Sequence, residues 1–271
     1  MFKTRLISGI VLMAVLLVCI ISGGWAFWGL LLFVSLGGMF ELFRLEKAQT
    51  SALAFIAYAC AVIYALRYAL DGTYAADIFS KVPFVLFIAA AVIYVLTYPR
   101  YRARQFIMTV FAFFYLPVMT FCMYPLRTAE GGVYLIWLVF IASWGCDTGA
   151  YCFGSLLGKH KLAPVLSPHK SIEGAVGGAA SSTVLGLALG LIFGSHMTTI
   201  ASPVVCCALT GLVGSVFSQF GDLTASAIKR NYDIKDYGRL IPGHGGIMDR
   251  FDSVIFVSPV IYGMIMLFTV R

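Results

Sequence analysis

Nine apolar segments follow one another with little between them, near residues 6–22, 25–43, 51–70, 82–98, 105–125, 132–152, 173–195, 199–220 and 253–270. A run of about 20 apolar residues is the length at which an α-helix crosses the hydrocarbon of a bilayer. Inside that hydrocarbon every backbone N–H and C=O must find its partner within the protein, so helices must fill it. Composition agrees, with 61% of the 271 residues hydrophobic, only 11% charged and a mean hydropathy of +0.93. A water-facing surface wants roughly a quarter or more of charged residues. A soluble α/β enzyme, a disordered chain and a disulfide scaffold are therefore excluded. The expected fold is an all-α polytopic membrane protein with about nine transmembrane helices.

Lys and Arg in alternate loops set the orientation. One side collects Lys3, Arg5, Arg44, Lys47, Arg100, Arg102, Arg104, Lys159, Lys161, Lys170, Lys229, Arg230, Lys235, Arg239 and Arg250, which is 15 of the 19 basic residues. The other side keeps Arg67, Lys81, Arg127 and Arg271. The richer side is read as cytoplasmic, with the N-terminus inside and the C-terminus outside. This placement also accounts for the net charge of +7 without nucleic acid. The first segment follows Lys3 and Arg5 like a signal peptide, but Ile21–Trp25 offers no small-x-small cleavage site, so it is read as an anchor. The seven cysteines lie in apolar runs without a Cys-x-x-Cys pair and are read as small buried hydrophobes. In span seven, Gly174, Gly178, Ser182, Gly186, Gly190 and Gly194 recur every four residues, a stripe that lets another helix approach closely.

The expected organisation is an N-terminal group of spans one to five, residues 1–130, and a C-terminal catalytic region, residues 131–271, with a cytoplasmic loop at 221–252. Asp147, Glu173, Asp222, Asp249 and Asp252 fall at the cytoplasmic ends of the last four spans, beside the most basic loops. A carboxylate in a membrane segment costs about 3 kcal/mol on insertion scales, so it ordinarily faces a polar cavity and a partner. If 222–230 is helical, Asp222, Ser226 and Lys229 or Arg230 share one face, and Asp249 and Asp252 are i, i+3 neighbours. Between them, Pro242-Gly243-His244-Gly245-Gly246 is a glycine-rich turn whose bare N–H groups suit phosphate oxygens, leading into a helix N-terminus. Hard carboxylate oxygens with Lys and Arg suit Mg²⁺-assisted phosphoryl or nucleotidyl transfer rather than a zinc site.

Ser226-x-x-Lys229-Arg230-x4-Lys235-Asp236-x-Gly238-x3-Pro242-x-His244-Gly245-Gly246-x2-Asp249-Arg250-x-Asp252 resembles the signature of phosphatidate cytidylyltransferases, the CDP-diacylglycerol synthases. The resemblance extends to Asp147-Thr148-x-Ala150-Tyr151-x-x-Gly154 and to Ser167-Pro168-His169-Lys170-Ser171-x-Glu173-Gly174. It departs at His169, where the family carries Lys, so no phosphate role is carried to that position. What the resemblance implies is transfer of CMP from CTP to phosphatidic acid by a membrane-embedded enzyme; the orientation read from the basic residues puts the site on the cytoplasmic face, and the compact chain fits the cytoplasmic (inner) membrane. It further implies Mg²⁺ with a second, monovalent cation such as K⁺, and a homodimer among membrane lipids. Asp222, Asp249 and Asp252 would hold metal, and Lys229 would act with them. Lys170, Ser226, Arg230, Lys235, His244, Gly245, Gly246 and Arg250 would bind substrate; for His244 a structural role in the turn stands equally open. Asp147, Glu173 and Asp236 would support them. The rival readings are a synthase for another lipid phosphate, a CTP-dependent lipid-alcohol kinase and a secondary transporter. The transporter reading predicts inverted repeats, which the sequence does not display.

Overall fold

The computed structural model describes residues 2–70 and 72–270, with side chains from residue 6 onward. Lys3, Arg5 and Arg271 of the charge count thus lie outside the described side chains. The chain is mostly helical. Its helices are α1 (Phe2–Ser22), α2 (Gly24–Leu45), α3 (Ala52–Ala69), α4 (Tyr74–Phe79), α5 (Val82–Leu96), α6 (Ala103–Phe113), α7 (Met123–Thr128), α8 (Gly132–Leu135), α9 (Trp137–Phe140), α10 (Cys146–Leu157), α11 (Ile172–Phe193), α12 (Pro203–Asn231) and α13 (Met248–Phe268). A short hairpin, β1 (Lys161–Ala163) with β2 (Ser167–Ser171), joins α10 to α11.

Seven helical segments among the described residues are long and apolar enough to cross a membrane: Gly24–Leu45, Ala52–Ala69, Ala103–Thr128, Gly132–Leu157, Ile172–His196, Pro203–Asn231 and Met248–Phe268. The expected first and fourth spans appear as the shorter apolar helices Leu6–Ser22 and Val82–Leu96. At 1.5 Å per residue the latter, with 15 residues, reaches only about 22 Å, short of the roughly 30 Å of hydrocarbon.

The chain divides into two compact units, one of residues 1–124 and 236–250, the other of residues 125–235 and 251–271. The division falls at 124/125 rather than 130/131. Residues 236–250 of the expected cytoplasmic loop belong to the unit of the N-terminal helices.

The first unit is organised around aromatic rings. Tyr68 stacks on Phe121 at 5.4 Å between centroids, Tyr64 meets Phe113 edge-on at 5.9 Å, and the Trp28 indole donates to the Ala65 carbonyl at 2.8 Å. Rings bury much area at little rotamer cost, and the indole N–H finds the partner that burial demands.

The second unit answers the question posed by the glycine stripe. Gly174, Gly177, Gly178, Ser182, Gly186 and Gly190 are all buried in α11. A Cβ on Gly178 would sit 2.7 Å from the Cys146 carbonyl of α10, and one on Gly190 would sit 2.7 Å from the Val204 Cα of α12. Gly211 of α12 faces the Ser182 carbonyl in return. The stripe's partners are thus helices of the same chain, held by close backbone packing where lipid offers no hydrophobic drive. Just before α10, residues Ile141–Gly145 form a π-helical turn. Its Ile141 carbonyl accepts the Cys146 N–H and also the Ser182 hydroxyl, at 2.9 Å. The extra residue of a π turn rotates every following side chain about the axis, and Asp147 follows directly. Cys60, Cys146, Cys206 and Cys207 are buried as expected, Cys19 and Cys122 only partly, whereas Cys152 is exposed.

Candidate active site

The hairpin between α10 and α11 is held by its own chain ends. Ser171 caps α11, its hydroxyl accepting the Gly174 N–H at 3.1 Å, a cap that typically stabilises a helix by about 1 kcal/mol. Glu173, in the first turn of α11, accepts the Lys159 N–H at 3.1 Å, the His160 N–H at 3.2 Å and the His160 ring Nδ1 at 2.6 Å. The carboxylate expected among the supporting groups therefore acts as the clasp of the hairpin's base.

With the hairpin fixed, Lys170 of β2 forms an ion pair with Asp222 of α12. Asp222, Ser226 and Lys229 do share one face, because α12 continues unbroken through Asn231 instead of ending with its apolar residues. Asp147 stands within the electrostatic field of both Asp222 and Lys170. Asp252, only 8% exposed, stands within that of Asp222, Lys229 and Asp147 and accepts the Ser253 N–H at 2.7 Å. Three carboxylates and two ammonium groups are thereby gathered in the second unit, with one negative charge in excess. A cavity of about 570 Å³ opens beside Asp147, Lys170 and Asp222, lined also by Tyr151, His169 and Gln219.

Gln219 lies outside the motifs that the sequence displays. Its amide donates to the Ala175 carbonyl at 3.2 Å and it lines the cavity one turn before Asp222. The available signal was a primary amide inside an apolar span, where a polar group ordinarily faces a cavity or a partner.

In the first unit the glycine turn is shaped by backbone sign. Gly243 (φ +78°) and Gly245 (φ +91°) occupy the left-handed region, which favours glycine. The Ile241 N–H donates to the Gly245 carbonyl at 2.9 Å, and the His244 N–H to the Ile241 carbonyl at 2.9 Å. The Gly246 N–H, expected to face phosphate, instead donates to Asp249 Oδ2 at 2.9 Å, as does the Tyr237 N–H at 2.8 Å. Arg250 Nε donates to the His244 carbonyl at 2.8 Å, and the His244 ring Nδ1 meets the Ser8 hydroxyl at 2.8 Å. His244 is thus engaged structurally in the turn. Asp249 and Asp252 share the first turns of α13, which begins at Met248 rather than at 253. Arg230, Lys235 and Asp236 are exposed. Among the described residues, no three His, Cys, Asp or Glu side chains stand close enough together to enclose a metal ion by themselves.

The sequence profile of the cytidylyltransferase family matches residues 3–268. A phosphatidate cytidylyltransferase of Bacillus subtilis is 34% identical over 276 residues, covering 98% of this chain and 98% of that protein. Proteins of the same name from Staphylococcus epidermidis and Staphylococcus aureus are 45% and 44% identical over 139 residues, about half of each chain.

Proposed function

The chain belongs to the cytidylyltransferase family, and from that premise we propose that it transfers CMP from CTP to phosphatidic acid, yielding CDP-diacylglycerol and pyrophosphate. The observation that carries the reading is the Lys170–Asp222 pair, which lines a cavity together with Asp147 in a chain otherwise built for lipid. A catalyst joining two polyanions needs this mixture of fixed cations and cation-binding carboxylates.

A phosphomonoester, with a second pKa near 6, is already largely dianionic at neutral pH, so it reacts without surrendering a proton to a base. One of its oxygens bonds to the α-phosphorus of CTP as the bond from that phosphorus to the bridging β-oxygen breaks. Pyrophosphate leaves with that bond's electron pair. Lys170 and Lys229 offset the repulsion between the two anions, and Arg230, Lys235 and Arg250 add positive charge from exposed positions. Ser226, on the Asp222 face, donates to a phosphate oxygen. Tyr151 and Gln219 wall the cavity and hold its occupant in line.

The carboxylates fit Mg²⁺ by chemistry and by number. Mg²⁺ is held by one or two protein carboxylates plus substrate phosphates rather than by a closed protein cage. Asp222 and Asp252 would hold it, with Asp249 one turn from Asp252 on α13. When bound, the ion neutralises the charge that develops on the leaving pyrophosphate. A monovalent cation beside it, a homodimer and the inner membrane complete the reading. Nine crossings, with the bilayer thinned around the short α5 and with the N-terminus and the site on the cytoplasmic side, would put Lys170, Lys229 and Arg230 where CTP is found; the 15-to-4 division of basic residues supports this orientation.

The test is conversion of labelled CTP and phosphatidic acid by the purified protein in mixed micelles, with and without chelator and beside Asp222→Asn. Product that requires Mg²⁺ and vanishes with the substitution is expected. Product formed only with another lipid acceptor would keep the chemistry and replace the substrate. No product with any acceptor would overturn the reading.

A further inference from the structure

Glu41, in the middle of the N-terminal helices, is a carboxylate that none of the motif residues accounts for. It is 4% exposed within α2, a membrane-crossing helix. Its Oε1 accepts the Ile247 N–H at 2.9 Å and its Oε2 accepts the Met248 N–H at 2.9 Å. Those donors belong to the start of α13, where the first N–H groups of a helix have no partner within it. Capping is normally done by Ser, Thr, Asp or Asn just before the helix, and Ile247 stands there with no acceptor to offer. The cap therefore comes from another helix, more than 200 residues earlier in the chain. A charged acceptor at a helix N-terminus makes stronger hydrogen bonds than a neutral one and complements the helix dipole.

The surroundings of Glu41 are shaped to receive it. A Cβ on either Gly238 or Gly246 would overlap the Glu41 carboxylate, so both glycines supply room for this side chain. One turn further along α2, Arg44 Nη2 donates to the Tyr237 carbonyl at 2.5 Å. Tyr237 and Gly246 are the residues whose N–H groups hold Asp249 Oδ2. Glu41 and Arg44 thus grip both sides of the loop that orients Asp249, and Glu41 also caps the first turn of the helix bearing Asp249 and Asp252.

We infer that Glu41 is a positioning residue for the transfer reaction: it caps α13 from a distance and thereby sets the direction in which Asp249 presents its carboxylate. The inference rests on the cytidylyltransferase reading. A remote displacement of about 1 Å is enough to cost roughly a hundredfold in rate, so loss of the cap acts on turnover before it acts on substrate affinity.

The experiment compares wild type with Glu41→Gln, Glu41→Asp and Glu41→Ala in detergent, with Ser35→Ala as a control that removes a different buried polar group from α2. Glu41→Gln replaces one acceptor oxygen by an NH₂ facing a backbone N–H. It should lower kcat by about a hundredfold and raise the Mg²⁺ concentration for half-maximal rate, with KM for CTP little changed. Glu41→Asp, one methylene short but with both oxygens, should recover part of kcat, and Ser35→Ala should match wild type. Hydrogen exchange of the Ile247, Met248 and Asp249 amides should quicken in Glu41→Gln, which remains informative if Glu41→Ala does not fold. A folded Glu41→Gln protein with wild-type kcat and Mg²⁺ requirement overturns the inference. Lost turnover with unchanged amide exchange overturns it as well. If wild type forms no product, the reaction reading fails, and the amide exchange alone still decides whether Glu41 orders the start of α13.

Discussion

Lys170 and Asp222 form an ion pair between a five-residue strand and a 29-residue membrane helix, each side chain about one quarter exposed, at 26% and 28%. Partial exposure leaves both groups open to a ligand, so the pair reads as a charge arrangement held ready rather than as a stabilising bridge. Pairs of this exposure contribute about 1 kcal/mol or less to folding. Lys170→Met should therefore leave the melting temperature nearly unchanged while lowering kcat/KM for CTP by roughly a hundredfold or more, the scale of removing one preorganised donor. Lys170→Arg should recover part of the loss, since the charge is kept. Steady-state kinetics beside thermal unfolding in detergent would decide it.

The carboxylates Asp147, Asp222 and Asp252 repel one another. Asp147→Asn removes one of the three charges, so it should raise the melting temperature measured in chelator. Added Mg²⁺ should raise the wild-type melting temperature, because a ligand that binds only the folded state stabilises it. The increment should shrink in Asp222→Asn and Asp252→Asn. An equal Mg²⁺ increment in wild type and both variants would place the ion elsewhere.

Glu173 clasps the hairpin through the Lys159 and His160 N–H groups and the His160 ring. Glu173→Ala leaves these donors to water and loosens one wall of the cavity. The expected result is a several-fold higher KM for CTP with kcat changed far less, because the hairpin shapes the pocket that Lys170 enters. Limited proteolysis between residues 158 and 171 should quicken in parallel. An unchanged KM would show that the clasp serves folding only.

Much of this molecule is written in local pattern, and that part is legible. The membrane helices follow from apolar runs, and the shared face of Asp222, Ser226 and Lys229 follows from helical spacing. What the runs conceal is where a helix ends. Hydropathy stops α12 near 220 and starts α13 near 253, yet the backbone continues to Asn231 and begins at Met248, because polar residues extend a helix as readily as apolar ones. The β hairpin is hidden for another reason. Strands of three and five residues, one containing Pro168, carry no readable alternation. Glu41 is hidden most deeply, since near Arg44 it looks like an ordinary helix-end charge and its partners lie at the far end of the chain.

The glycine stripe gives a prediction about assembly. Gly186→Leu would drive a side chain into the Cys207 carbonyl of α12. Overpacking of this kind costs about 1–3 kcal/mol or more. Gly263→Ala is the matched control, because nothing lies within 4 Å of its added methyl and Ala is the better helix former by about 1 kcal/mol. The first should lower the melting temperature in detergent and the second should hold or raise it. Equal behaviour would mean that close approach at Gly186 is not what joins α11 to α12.

The 29 residues of α12 form a rod of roughly 44 Å, against a hydrocarbon thickness of about 30 Å. Standing upright, such a rod outruns the bilayer by nearly three turns, and the turns beyond residue 220 carry Asp222, Ser226, Lys229 and Arg230. Bilayer thickness then becomes a rate-setting variable. Longer acyl chains raise the lipid boundary along the rod and shorter ones tilt it, and the height at which a headgroup meets Lys229 changes with them. Turnover in vesicles of graded chain length should therefore pass through a maximum. A membrane grown from this enzyme's own product would feed back on its synthesis through thickness alone.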